Sequence, residues 1–126
     1  MKEQFVTYEI ALKLKKIGFD EPCLAYWKDN KIIIYSPNDK ITQKVVFDNY
    51  KGIKSPLYSQ AIDWFREKHG IDIIIRPFTG DIVGEKTYAS DIYISKTNTS
   101  IKLKREASYH EAREQAILKC IELCQK

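Results

Sequence analysis

Cysteine, histidine and serine are the side chains in this chain that could attack a bond or hold a metal. The thiols are Cys23, Cys120 and Cys124, and the imidazoles are His69 and His110. A thiol beside an imidazole makes a nucleophile–base pair, and Cys23 with either histidine would supply one. Ser108 stands two residues before His110, but a catalytic triad is defined by geometry and not by adjacency. The chain contains no GxSxG, P-loop, HExxH or GxGxxG, and its acids are scattered without a DxD or paired-Glu pattern. Cys120 and Cys124 fall on one face of a helix, where their Cβ vectors run side by side and disfavour a disulfide. Two such thiols are half of a zinc site, which requires four ligands. All three cysteines therefore read as small buried hydrophobes, and the expectation is no metal, no cofactor and no enzymatic activity.

Recognition chemistry is better represented. Tyr26, Trp27, Tyr35 and Tyr50 are interleaved with Lys28, Lys31, Lys51 and Lys54. Aromatic faces among basic side chains are what a surface that stacks single-stranded nucleic acid needs. The competing reading is a half-exposed sheet face with tyrosines at its rim. Lys102, Lys104 and Arg105 form a second basic edge. Trp64 and Phe65 could be an interaction hot spot. Neighbours on a helix point about 100° apart, however, so at least one of the two belongs to the core.

Charge narrows the choice of partner only a little. The net charge is +4, and residues 1–54 hold ten basic against seven acidic side chains, residues 55–126 eleven against ten. Seventeen of the 21 basic residues are lysine, which gives solvated point charges instead of the forked donor that arginine offers to phosphate and guanine. An odd cysteine count without CxxC spacing suits a reducing compartment. No apolar run approaches the ~20 residues that span a bilayer, and the start MKEQFVTYEI lacks the layout of a secretion signal. A cytoplasmic protein with no membrane contact is expected. At 126 residues the chain reads as one domain, 1–126, that buries roughly two thirds of its unfolded surface.

The elements that must position these side chains are punctuated clearly. Thr7 caps a helix over Tyr8–Ile17 with Ile10, Ala11, Leu14 and Ile17 as its stripe; Gly18 stops it and Phe19 packs back on its last turn. Cys23–Trp27 and Lys31–Tyr35 read as a hairpin across Lys28-Asp29-Asn30. Ser36–Lys54 is mostly loop, with Val45-Val46-Phe47 as a short optional strand. Ser55 and Pro56 open a second helix carrying Leu57, Tyr58, Ala61, Ile62, Trp64 and Phe65, and Gly70 closes it. Ile71–Arg76 follows as a strand, then Lys86–Lys96 with Tyr88, Ser90, Ile92 and Ile94 alternating, then a turn at Thr97–Ser100 and a lysine-edged strand over Ile101–Lys104. Ser108 and Glu111 form a capping box for a third helix with Ala112, Ala116, Ile117, Cys120, Leu123 and Cys124 inward. The order is α-β-β-(β)-α-β-β-β-α. Strands come in hairpin pairs, so the fold class is α+β, three helices packed on a mostly antiparallel sheet. Lys16–Asp20 echoes Lys68–Asp72 at a separation of 52, which is shared helix-stop grammar.

Three segments, QFVTYEIALKLKKIGFDEPCLAYW, SPLYSQAIDWFREKHGI and YHEAREQAILKCIEL, resemble a family of small uncharacterised phage and prophage proteins of Bacteroidetes-type bacteria. They cover about half the chain, and residues 79–105 lie outside them. The resemblance implies a phage-encoded accessory protein working in a bacterial cytoplasm. It carries no functional residues. The expected function is binding to another protein. Nucleic-acid binding through the Lys/Tyr-rich strands and the Lys96–Arg105 edge is the alternative.

Overall fold

The computed structural model describes residues 2–34, 52–79 and 86–125. They form three α-helices and two three-stranded antiparallel sheets, an α+β fold in the order expected. The chain falls into two compact units, Met1–Gln60 and Ala61–Lys126.

In the first unit a short 3-10 turn, Lys2–Gln4, leads into α1, Tyr8–Lys16. The Thr7 hydroxyl accepts the Ile10 N–H at 3.3 Å, satisfying one of the donors that a helix start leaves open. At the other end Gly18 takes φ +101. Phe19 N–H then reaches the Leu14 carbonyl and Gly18 N–H the Lys15 carbonyl, the paired bonds of a glycine-terminated helix. Ile10, Ala11 and Leu14 are buried, as is Phe19.

Two strands follow, β1 (Ala25–Lys28) and β2 (Lys31–Ile34), paired from Ala25↔Ile34 to Lys28↔Lys31. The turn, Asp29-Asn30, is one residue shorter than the sequence suggests. Asp29 and Asn30 both adopt positive φ (51° and 63°), which matches the twist of a two-residue hairpin and lets Lys28 join the ladder. The third strand, β3, is Ile53–Lys54 on the far side of β1. These residues were expected in a loop; Tyr26 and Trp27 supply the partners that local sequence does not announce. The optional strand at Val45–Phe47 and the end of the hairpin at Tyr35 lie outside the described residues.

Ser55 corrects a second expectation. It does not cap the next helix. Its side chain is fully buried and its hydroxyl donates to the Val6 carbonyl at 2.9 Å, while its N–H donates to the Ala25 carbonyl. Helix α2 begins three residues later and runs Tyr58–His69, starting at the end of the first unit and continuing into the second. Both Trp64 and Phe65 are buried, their rings edge to face at 5.1 Å. Two adjacent positions can both be inward only because the buried face of α2 is broad.

The second unit is built on a longer ladder. Gly70 closes α2 at φ +63, and β4 (Ile71–Thr79) pairs with β5 (Lys86–Ile94) along all nine residues. The strand was expected to end at Arg76, and it continues through Pro77 to Thr79. Tyr88, opposite Pro77, exchanges its backbone bonds with Glu106 instead, so the missing proline N–H costs this ladder nothing. β6 is Thr99–Lys102, two residues ahead of expectation, because Asn98 at φ +50 tightens the turn and its side chain accepts the Tyr93 hydroxyl at 2.8 Å.

Alternation sends Ile71, Ile73 and Ile75 to one side of the sheet together with Ser90, Ile92 and Ile94. Helix α3, Tyr109–Cys124, packs over β5 and β4. Ala112, Ala116, Ile117, Cys120 and Ile121 are its buried residues. Ser108 caps it by accepting the Glu111 N–H at 3.1 Å. The Ser90 hydroxyl, itself buried, donates to the Ala112 carbonyl and so avoids the cost of an unsatisfied polar group.

Candidate functional site

Cross-strand pairing places the expected aromatic–basic group of the first unit on two different faces. Tyr26 sits between Ile33 and Lys54, and Lys28 sits opposite Lys31, so these five side chains share one face. Trp27 belongs to the other face, between Ile32 and Ile53. Its indole N–H donates to the Val6 carbonyl at 3.1 Å and its ring meets Tyr8 edge-on at 6.2 Å. Trp27 is therefore a packing residue of this unit and not a member of the Tyr26 surface. Tyr35, Tyr50 and Lys51 lie outside the described residues. Lys54 is half-buried, its ammonium 3.0 Å from Asp20, whereas Lys28 and Lys31 are exposed. Three aliphatic residues around this hairpin are open to solvent: Leu24 (47% exposed), Ile33 (40%) and Ile34 (37%).

The second unit exposes a face the sequence reading did not assemble. With the odd-numbered residues of β4 turned under α3, the opposite side of the sheet carries Asp72, Ile74, Arg76 and Phe78 beside Tyr93, Asp91, Ala89 and Thr87. Lys102 joins the row of Ile74 and Asp91. Arg66 binds Asp72 at 3.1 Å, and Arg76 binds Asp91 at 3.0 Å. The Arg105 guanidinium lies over the Phe78 ring, 3.5 Å from its centroid, a cation stacked on an aromatic face. Lys102, Lys104 and Arg105, named from sequence as a basic edge, are all exposed here. Lys104 and Arg105 follow β6 instead of belonging to it. Phe78 was missed because its strand was read as Ile71–Arg76. A strand continued through Thr79 would have put it on the open face by parity alone.

The groups that could do covalent chemistry are held in quieter settings. Burial pushes the Cys23 thiol up to about 12 from its ordinary 9.0, outweighing the nearby Lys54, and the Cys23 Sγ donates to the Glu21 carbonyl at 3.3 Å. Burial and then Cys124 raise Cys120 to about 12, and burial also raises Cys124. A thiol with its pKa raised is protonated at neutral pH and a poor nucleophile. Ser108 is engaged as a helix cap. His110 sits with Arg113 at 3.1 Å and Glu114 at 3.7 Å along its own helix, and His69 packs against Trp64. Among the described residues no group of three or more His, Cys, Asp or Glu side chains is placed to hold a metal ion, and no helix is long and apolar enough to cross a membrane.

Comparison with protein-family models, with curated proteins and with solved structures found no match.

Proposed function

We propose that this chain acts by binding, that its partner is another protein, and that the β1–β2 hairpin makes the contact. The setting is the cytoplasm of a bacterial host and the role that of a phage accessory protein, on the strength of the three segments quoted above. One observation carries the binding surface: Ile33 is solvent-exposed beside Tyr26, with Leu24 exposed just ahead of β1. Covering the part of an aliphatic side chain that is still in water, 40% of Ile33, is favourable by about 1 kcal/mol. A mixed apolar, tyrosine and lysine surface has the composition of the contact regions by which proteins recognise one another. The raised pKa values of the thiols speak for recognition over cysteine chemistry, because they remove the strongest nucleophiles the chain offers.

The test uses tagged full-length protein and a Leu24→Ser/Ile33→Asp variant in a lysate of a Bacteroidetes-type host. The expected result is a protein retained by the parent chain and lost by the variant, both melting at the same temperature. Equal retention by the two, or retention of nothing by either, refutes the reading.

A further inference from the structure

Among the described residues, the open face of β4, β5 and β6 carries three basic side chains, Lys102, Lys104 and Arg105, that its acids do not pair with. Asp72 is already matched by Arg66, and Asp91 by Arg76. Among the described residues no carboxylate pairs with Lys102, Lys104 or Arg105. The occupant that complements such a surface is an anion.

Shape and stacking say which kind. The Arg105 guanidinium carbon lies 3.5 Å from the Phe78 ring centroid and the Arg105 side chain is exposed, so the cation is backed by the ring and open to solvent. A planar cation backed by an aromatic ring is a platform for another planar group, and nucleobases stack on arginine planes as they do on aromatic rings. Tyr93 stands on the same face, opposite Asp72, with its hydroxyl fixed by Asn98. Phe78 and Asp72 are six residues apart on β4, roughly 20 Å along the strand, a span of a few nucleotides. An acidic peptide would answer the charge but has no row of planar rings to offer. A duplex hides its base faces in its own stack, and a single strand does not.

We propose that this face binds single-stranded nucleic acid. Phosphates lie against Lys102 and Lys104, one base stacks on Arg105 above Phe78, and another lies against Tyr93. The inference goes beyond the partner-protein reading and uses the other unit of the chain.

Fluorescence anisotropy of a labelled oligothymidine, titrated with the full-length protein at low and moderate salt, tests it. Binding is expected to weaken with salt with a log–log slope of about 1.4, the value for two phosphates neutralised on a single strand. Lys102→Gln/Lys104→Gln/Arg105→Gln should bind at least about tenfold more weakly and lose most of that slope. Arg105→Lys keeps the charge and removes the plane, so it should weaken binding about threefold to tenfold with the slope unchanged. These side chains are exposed, and unaltered circular dichroism is expected for each variant. Four results overturn the proposal: no anisotropy change at micromolar protein, a triple variant that binds like the parent, an Arg105→Lys variant that binds like the parent, or stronger competition from an oligoglutamate than from unlabelled oligothymidine. The last would make the occupant an acidic protein. The triple variant retains the β1–β2 hairpin, so failure here leaves the lysate experiment on Leu24 and Ile33 unaffected.

Discussion

In the unit Met1–Gln60 the strands are four, four and two residues long, whereas β4 and β5 of Ala61–Lys126 run side by side for nine. The short sheet is secured by single bonds that cross long stretches of sequence. Trp27 and Ser55 both donate to the Val6 carbonyl, Val6 N–H donates to Pro56, and the Gln60 amide reaches the Pro22 carbonyl at 2.8 Å. The long sheet pairs strands that are neighbours in sequence and covers them with one amphipathic helix. One unit thus depends on a few specific polar contacts and the other on repeated pairing and packing. The repeated kind shares its load among many residues, and the specific kind concentrates it.

Both arrangements can be tested separately, because the only two tryptophans, Trp27 and Trp64, lie one in each unit. Phe65→Ala should have the largest effect, a loss of about 3–5 kcal/mol in the denaturant transition reported by Trp64, since a fully buried ring is replaced by a cavity. A loss below about 1 kcal/mol would mean that the second unit is packed loosely at α2.

Next come the bonds to Val6. Ser55→Ala and Trp27→Phe should each cost about 1–2 kcal/mol, because the carbonyl keeps one donor. The double variant leaves it with neither, so the pair should be coupled by about 0.5–3 kcal/mol beyond the sum. With Trp27 removed, circular dichroism is the readout. Strict additivity would show that the shared acceptor carries no special load.

Ser108→Ala is the smallest of the three, about 1 kcal/mol from a local helix cap. An unmoved midpoint would show that α3 is held by its buried face alone.

Legibility in the sequence follows the same division. The helices α1 and α3, their caps at Thr7 and Ser108, and the stops at Gly18 and Gly70 are local matters of spacing and of residues that tolerate positive φ. All could be read directly. Ser55 could not, because its type suits a cap and a buried donor equally, and the choice is made by Val6, 49 residues away. Trp27 was grouped with Tyr26 by adjacency, yet the period of two of a strand necessarily separates them. β3 is two residues long, too short to have a pattern of its own. The candidate surfaces were half legible: the lysines and Arg105 were named, while the ring beneath Arg105 lay past the expected end of its strand.

The bonds at Val6 also impose an order in time. A chain emerging from the ribosome can wind α1 and close the β1–β2 hairpin as soon as those residues are out, in microseconds. Val6 must then wait for Ser55 and Pro56, which at ~5–20 residues per second arrive several seconds after it. Through that interval the N-terminal segment has its donors and acceptors filled by water. Ala61–Lys126 meets a shorter delay, since β4 waits only for β5 and β5 for β6, each the next strand to be made. The half of the chain that is synthesised first is thus the half with the longest wait for its partners.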